Sequence, residues 1–131
     1  MNRRSIRSGI DSEERYGYSR AVRIGDVIAV AGTPASGEDA GEQATTAFRK
    51  SLDALAEFSG GPEDVTRTRM FMTDIDRDAN AVGRAHREAF EGYPPAATMV
   101  EVSKLIGPDL LVEVEIDAVV EKGAASAEGR N

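Results

Sequence analysis

The chain has 131 residues and no cysteine, no tryptophan and a single histidine. Without cysteine there are no disulfides, thiolate nucleophiles or zinc–sulfur sites. With His86 alone, multi-histidine metal centres are excluded and a serine triad has little support. No apolar run approaches the roughly 20 residues of a membrane span. The start of the chain lacks the apolar middle segment of a signal peptide, so the expected compartment is the cytoplasm, with no membrane partner. Positive charge is in deficit as well: 16 Lys and Arg against 23 Asp and Glu give a net charge of −7. That balance disfavours nucleic acid, which requires a concentrated basic patch. Arg3, Arg4, Arg7, Arg15, Arg20 and Arg23 crowd the N-terminal stretch, but Asp11, Glu13 and Glu14 interrupt them. This stretch reads as a solvated arm or a paired edge strand.

What is present suits a single domain. Apolar residues make up 40% of a chain long enough for a hydrophobic core. Residues 1–122 read as that domain, and 123–131, small and polar, as a disordered tail. Arg20–Gly32 reads as two short strands joined at Gly25-Asp26. From Glu38 to about Phe58, Ala44, Ala47, Phe48, Leu52 and Leu55 follow helical spacing, and Gly60-Gly61-Pro62 ends the run. Glu63–Thr73 reads as a strand with Val65, Arg67, Arg69 and Phe71 on one face and Thr66, Thr68, Met70 and Met72 on the other. Asp76 or Asp78 would cap a second helix reaching Phe90, with a buried stripe of Ala79, Val82, His86, Ala89 and Phe90. Ala97–Ser103 reads as a further strand.

The last strand poses a physical problem. In LVEVEIDAVV, Val112, Val114, Ile116 and Ala118 alternate with Glu113, Glu115 and Asp117, the period-2 pattern of a strand with one apolar face. Three carboxylates then line the other face at roughly 6.6 Å intervals, where like charges repel. The element order implies an α+β fold: one mixed sheet of about six strands with two helices on one face. The helices cover the apolar side, and Arg67 and Arg69 from a neighbouring strand offset the carboxylates. Carboxylates spread along a straight strand do not converge on one ion, so no metal is expected there. Nor does a single glycine make a phosphate loop; no cofactor is expected.

Several ordered segments resemble the Rid family (YjgF-type, also labelled endoribonuclease L-PSP). They are YSRAV at Tyr18–Val22, GDVIAVAGTP at Gly25–Pro34, Gln43 early in a helix, DVTRTRMFMTDI at Asp64–Ile75, PAATMVEV at Pro95–Val102 and VEVEIDAVV at Val112–Val120. The resemblance implies a chorismate-mutase-like fold, a homotrimer with its sheets facing inward, and small-molecule clefts at the three interfaces. It also implies hydrolysis of reactive imines and enamines by a glutamate-held water, with an arginine clamping the substrate carboxylate. The glutamate position falls on Glu115, whereas Ala97 occupies the arginine position, as in arginine-lacking relatives.

The implied catalytic residues are therefore Glu115 and His86, with Tyr18, Gly32 and Thr98 binding substrate. His86 and Gly83 stand where the imine-hydrolysing members carry a tyrosine and an asparagine. With Ala97 unable to make a bidentate contact, 2-iminopropanoate deamination itself is not implied. Two functions stay open: a hydrolase of imine, enamine or related carbonyl metabolites, and a noncatalytic trimer that senses a ligand at the same clefts. An endoribonuclease-type inhibitor of translation ranks below both.

Overall fold

The computed structural model describes residues 2–121; the tail expected at 123–131 lies outside them. The elements are β1 (Arg3–Ile6), α1 (Asp11–Tyr16), β2 (Ala21–Ile24), β3 (Val27–Pro34), α2 (Ala40–Ala56), β4 (Val65–Met72), α3 (Ile75–Ala89), β5 (Ala96–Glu101) and β6 (Val112–Val119). All six strands form one sheet in the order β1-β2-β3-β6-β4-β5. Every pairing is antiparallel except β4 with β5, so the sheet is mixed. The N-terminal arginines thus include a paired edge strand.

Helix α2 lies over β3 and β6, and α3 touches α2, β4 and β5. Beneath them Val112, Val114, Ile116 and Ala118 are at most 1% exposed, as their alternation requires. Met70 and Met72 join them from β4, Phe48 and Leu55 from α2, and Val82 from α3. Each large apolar side chain buried here contributes roughly 1.5–3 kcal/mol relative to exposure. Asp39 caps α2 by accepting the Glu42 N–H at 2.8 Å. Gln43 fastens that end: its amide donates to the Gly37 and Asp109 carbonyls at 3.1 and 3.0 Å and accepts the Leu111 N–H at 2.8 Å. The loop leading into β6 is thereby tied to the first turn of α2.

The structure corrects the sequence reading in four places. A third, short helix, α1, precedes β2; its six residues are too few to show a helical period. The cap of α3 is Asp74, which accepts the Arg77 N–H at 3.0 Å, while Asp78 is buried and bonded twice to the Arg77 guanidinium at 2.8 Å. The α3 face is correspondingly rotated, since Asp78, Val82 and Ala85 are its buried residues and Ala79, His86 and Ala89 are only partly covered. In β4 the register slips between Val65 and Arg67, a bulge at Thr66. Val65 therefore joins the buried face and Thr66 turns outward, because a bulge breaks strict alternation. Finally, Arg23 is 4% exposed rather than solvated. Its guanidinium donates to the carbonyls of Gly25, Phe58 and Val120 at 2.8, 2.9 and 2.7 Å, and these bonds offset the cost of burying the charge.

Candidate functional site

The face of the sheet turned away from α2 and α3 carries the three carboxylates of β6. Arg69 stands opposite Glu115 in the β4–β6 pairing. One of its nitrogens, Nη1, reaches Glu115 Oε1 at 3.3 Å and Asp117 Oδ2 at 3.1 Å. A single guanidinium therefore neutralises two of the three carboxylates, and they in turn, Asp117 foremost, push its own pKa up. Arg67 takes no part in this; it donates to Thr98 Oγ1 on β5 at 3.3 Å.

On its other side Glu115 faces an irregularity in β3. There Val30 pairs with Ile116 and Thr33 with Val114, so the two residues Ala31 and Gly32 oppose Glu115 alone. Bulges of this kind re-aim side chains and are frequent beside functional sites. Gly32 supplies the space: a Cβ there would lie 2.2 Å from Glu113 Oε2. Glu113, seated on this glycine, makes no ion pair among the described residues. Burial raises its pKa first, the neighbouring Glu115 raises it further, and Arg20 pulls it back. Arg20 is anchored nearby on Thr33 Oγ1 at 2.9 Å.

A second group lies on the helix-covered side. Thr68, fully buried, has its Oγ1 2.7 Å from His86 Nε2. The imidazole packs against the Phe48 and Phe90 rings, with centroids 5.4 and 5.0 Å away, and burial lowers its pKa. Ala97 is the β5 partner of Thr68 and is exposed at the sheet edge. Gly83 lets α3 approach that strand, because a Cβ would stand only 3.3 Å from Met99 Cε. His86 also lines a cavity of about 400 Å³ with Arg87, Phe90, Glu91, Gly92 and Pro94.

The expected site residues thus fall into separate places. Glu115, Gly32 and Thr98 belong to the bare face of the sheet, and His86 belongs to the covered side. Tyr18 joins neither: it sits in the turn before β2, its hydroxyl 2.7 Å from Ser12 Oγ of α1. The expected residues leave out Arg69 as the bridge, Glu113 over Gly32, and Thr68 as the partner of His86. The signal for Thr68 was available, since a hydroxyl in the same stripe as Met70 and Met72 must find a partner. Among the described residues no three metal-ligating side chains come together, and no helix is long and apolar enough to cross a membrane.

A mixed six-stranded sheet with two long helices on one face and a bulge opposite a paired glutamate defines an α+β class of small protein. The chain belongs to the family described as Endoribonuclease L-PSP, whose model matches residues 11–120. It is 43% identical over 122 residues to the protein SCO2049 of Streptomyces coelicolor, covering 88% of this chain and 90% of that one. It is 31% identical to the RutC family protein PYRAB12510 of Pyrococcus abyssi, over 79% and 87% of the two chains. Among solved structures, Rv2704 of Mycobacterium tuberculosis, a member of the YjgF/YER057c/UK114 family, superposes with a TM-score of 0.88 at 46% identity. That match spans 91% of this chain and all of the other.

Proposed function

We propose that the protein is a small-molecule-binding homotrimer with its ligand clefts where subunits meet, and that it hydrolyses an imine, enamine or related carbonyl metabolite. The observation that carries this reading is the setting of Glu115: on the bare sheet face, opposite the Ala31-Gly32 bulge, and oriented by Arg69. A carboxylate held there can accept a proton from water as the water oxygen attacks the imine carbon. That proton passes to the nitrogen to give a carbinolamine. Transfer of its hydroxyl proton to the nitrogen by the same carboxylate then breaks the C–N bond, releasing ammonia and leaving a carbonyl. Glu115 and His86 lie on opposite faces of one sheet, so a site that uses both draws them from two copies of the chain.

With Ala97 in place of a guanidinium, 2-iminopropanoate is expected to be a poor substrate. Losing a charge-assisted contact at a desolvated site costs about 2–5 kcal/mol, or roughly 30- to 5,000-fold. One observation favours the noncatalytic alternative, ligand sensing at the same clefts: Arg69 already engages an oxygen of Glu115 in an ion pair. RNA cleavage draws no support from a net charge of −7 and one half-buried histidine.

Light scattering should give three times the mass of the chain, and a monomer at micromolar concentration would overturn the trimer. Imines generated in place by threonine dehydratase, followed through ammonia release, test the chemistry. Acceleration that disappears in Glu115→Gln supports hydrolysis. No acceleration of any imine by an intact trimer leaves the sensing function.

A further inference from the structure

We infer that Thr68 fixes His86 with its proton on Nδ1, and that this N–H is the hydrogen-bond donor offered to the oxygen of a neutral carbonyl ligand in the cavity at the end of α3. The inference relies on the proposed function for the ligand class only. It begins with Thr68, which is fully buried. A buried hydroxyl left without an acceptor carries a large penalty, and the partner of Thr68 Oγ1 among the described residues is His86 Nε2, at 2.7 Å. If Nε2 carried the proton, the two groups would face each other donor to donor unless the hydroxyl turned away, and no other acceptor is bonded to it. Thr68 therefore donates, Nε2 accepts, and the ring proton resides on Nδ1. Nδ1 has no protein partner among the described residues.

The surroundings say what would meet that N–H. Phe48 and Phe90 hold the ring on its covered side, and His86 lines the cavity of about 400 Å³, large enough for a small metabolite. Arg87 and Glu91 on its rim carry opposite charges, so nothing there selects an anion. Ala97, next to Thr68 across the β4–β5 pairing, supplies no cation either. A neutral N–H donor in a cavity of balanced charge suits an uncharged carbonyl better than a carboxylate, which seeks charge-assisted partners. Thr68 is thus a positioning residue, acting through His86.

The single histidine makes the test direct, because ¹⁵N–¹H spectra of the imidazole contain one ring only. The probes are pyruvamide, a carbonyl compound without a carboxylate, and pyruvate. The expected result is a ring protonated at Nδ1 whose resonances shift with pyruvamide at lower concentration than with pyruvate. Thr68→Val should move the proton toward Nε2 and weaken pyruvamide about five- to tenfold, the effect of one neutral hydrogen bond. Thr68→Ser should restore both. If Thr68→Val does not fold, the wild-type tautomer and the serine variant still decide. A proton on Nε2 in the wild type, tighter binding of pyruvate, or resonances indifferent to both probes would overturn the inference. A protein that hydrolyses no imine yet shows the pyruvamide shift keeps this site and loses the proposed chemistry.

Discussion

Along β6, Val112, Val114, Ile116 and Ala118 meet the helices, while Glu113, Glu115 and Asp117 alternate with them on the bare face. The two sets share one backbone and one register, yet different forces hold them. The covered set is close-packed and at most 1% exposed, so its contribution is apolar area and shape. The bare set depends on one guanidinium from β4, whose pairs with Glu115 and Asp117 are each more than a third exposed. Solvent screens such pairs, so each contributes little to stability. Stability thus resides on one side of the strand, which leaves the charged side free to serve a ligand or a second subunit.

Four substitutions break or sharpen this contrast, beginning with the largest effect. Ile116→Ala on the covered side should cost about 2–5 kcal/mol in denaturant unfolding, through lost transfer free energy and a cavity. A loss below 1 kcal/mol would mean that the helices do not pack as described. Arg69→Met on the bare side should destabilise far less than Ile116→Ala, and the loss should shrink as salt rises. Insensitivity to salt would show that Arg69 acts by packing.

Glu113→Gln should be smaller still and opposite in sign. Because the folded protein holds the Glu113 carboxyl above its ordinary value, that group favours folding only below the unfolded carboxylate range, and the advantage is lost as pH rises through the raised value. At neutral pH the glutamine variant should therefore melt slightly higher than the wild type, with the gain vanishing in acid. His86 tests the covered side by the reverse logic. Burial holds its pKa below 6.5, so its contribution is present above that value and lost as pH falls through the lowered one. His86→Gln should flatten the dependence of melting temperature on pH in this window, and an unchanged slope would contradict the burial of the ring.

Most of the fold was legible because its elements carry long periods. The eight residues of β6 and the seventeen of α2 repeat their apolar positions often enough to fix both type and face. Helix α1 is too short for such a signal, and the phase of β4 was lost at one bulge that adds Thr66. Asp74, Asp76 and Asp78 are equivalent cap candidates by composition, and only the backbone decides among them. At the site, the alternation of β6 and the arginines of β4 announced a charge-balanced face. Arg67 stands opposite Asp117 in register yet turns to Thr98, while Arg69 reaches diagonally to Asp117 as well as to Glu115, a choice of side-chain direction that the pattern does not carry. Nor could the sequence separate Glu115 from His86. Resemblance places both at one cleft, whereas the register puts them on opposite sides of a sheet.

The strand order has a consequence for how the protein is made. β6 lies between β3 and β4 in the sheet but follows every other strand along the chain. During synthesis β1, β2 and β3 can pair among themselves, and β4 can pair with β5, yet no strand pairing joins these two half-sheets until β6 arrives. The inner edges of β3 and β4 stay open meanwhile, offering unpaired N–H and C=O groups to any neighbouring chain. Closing the sheet then depends on contacts distant in sequence, and the interval before β6 emerges is the period of greatest exposure to aggregation. A ribosome that stalls short of Val112 leaves two open half-sheets without the central strand that α2 packs on.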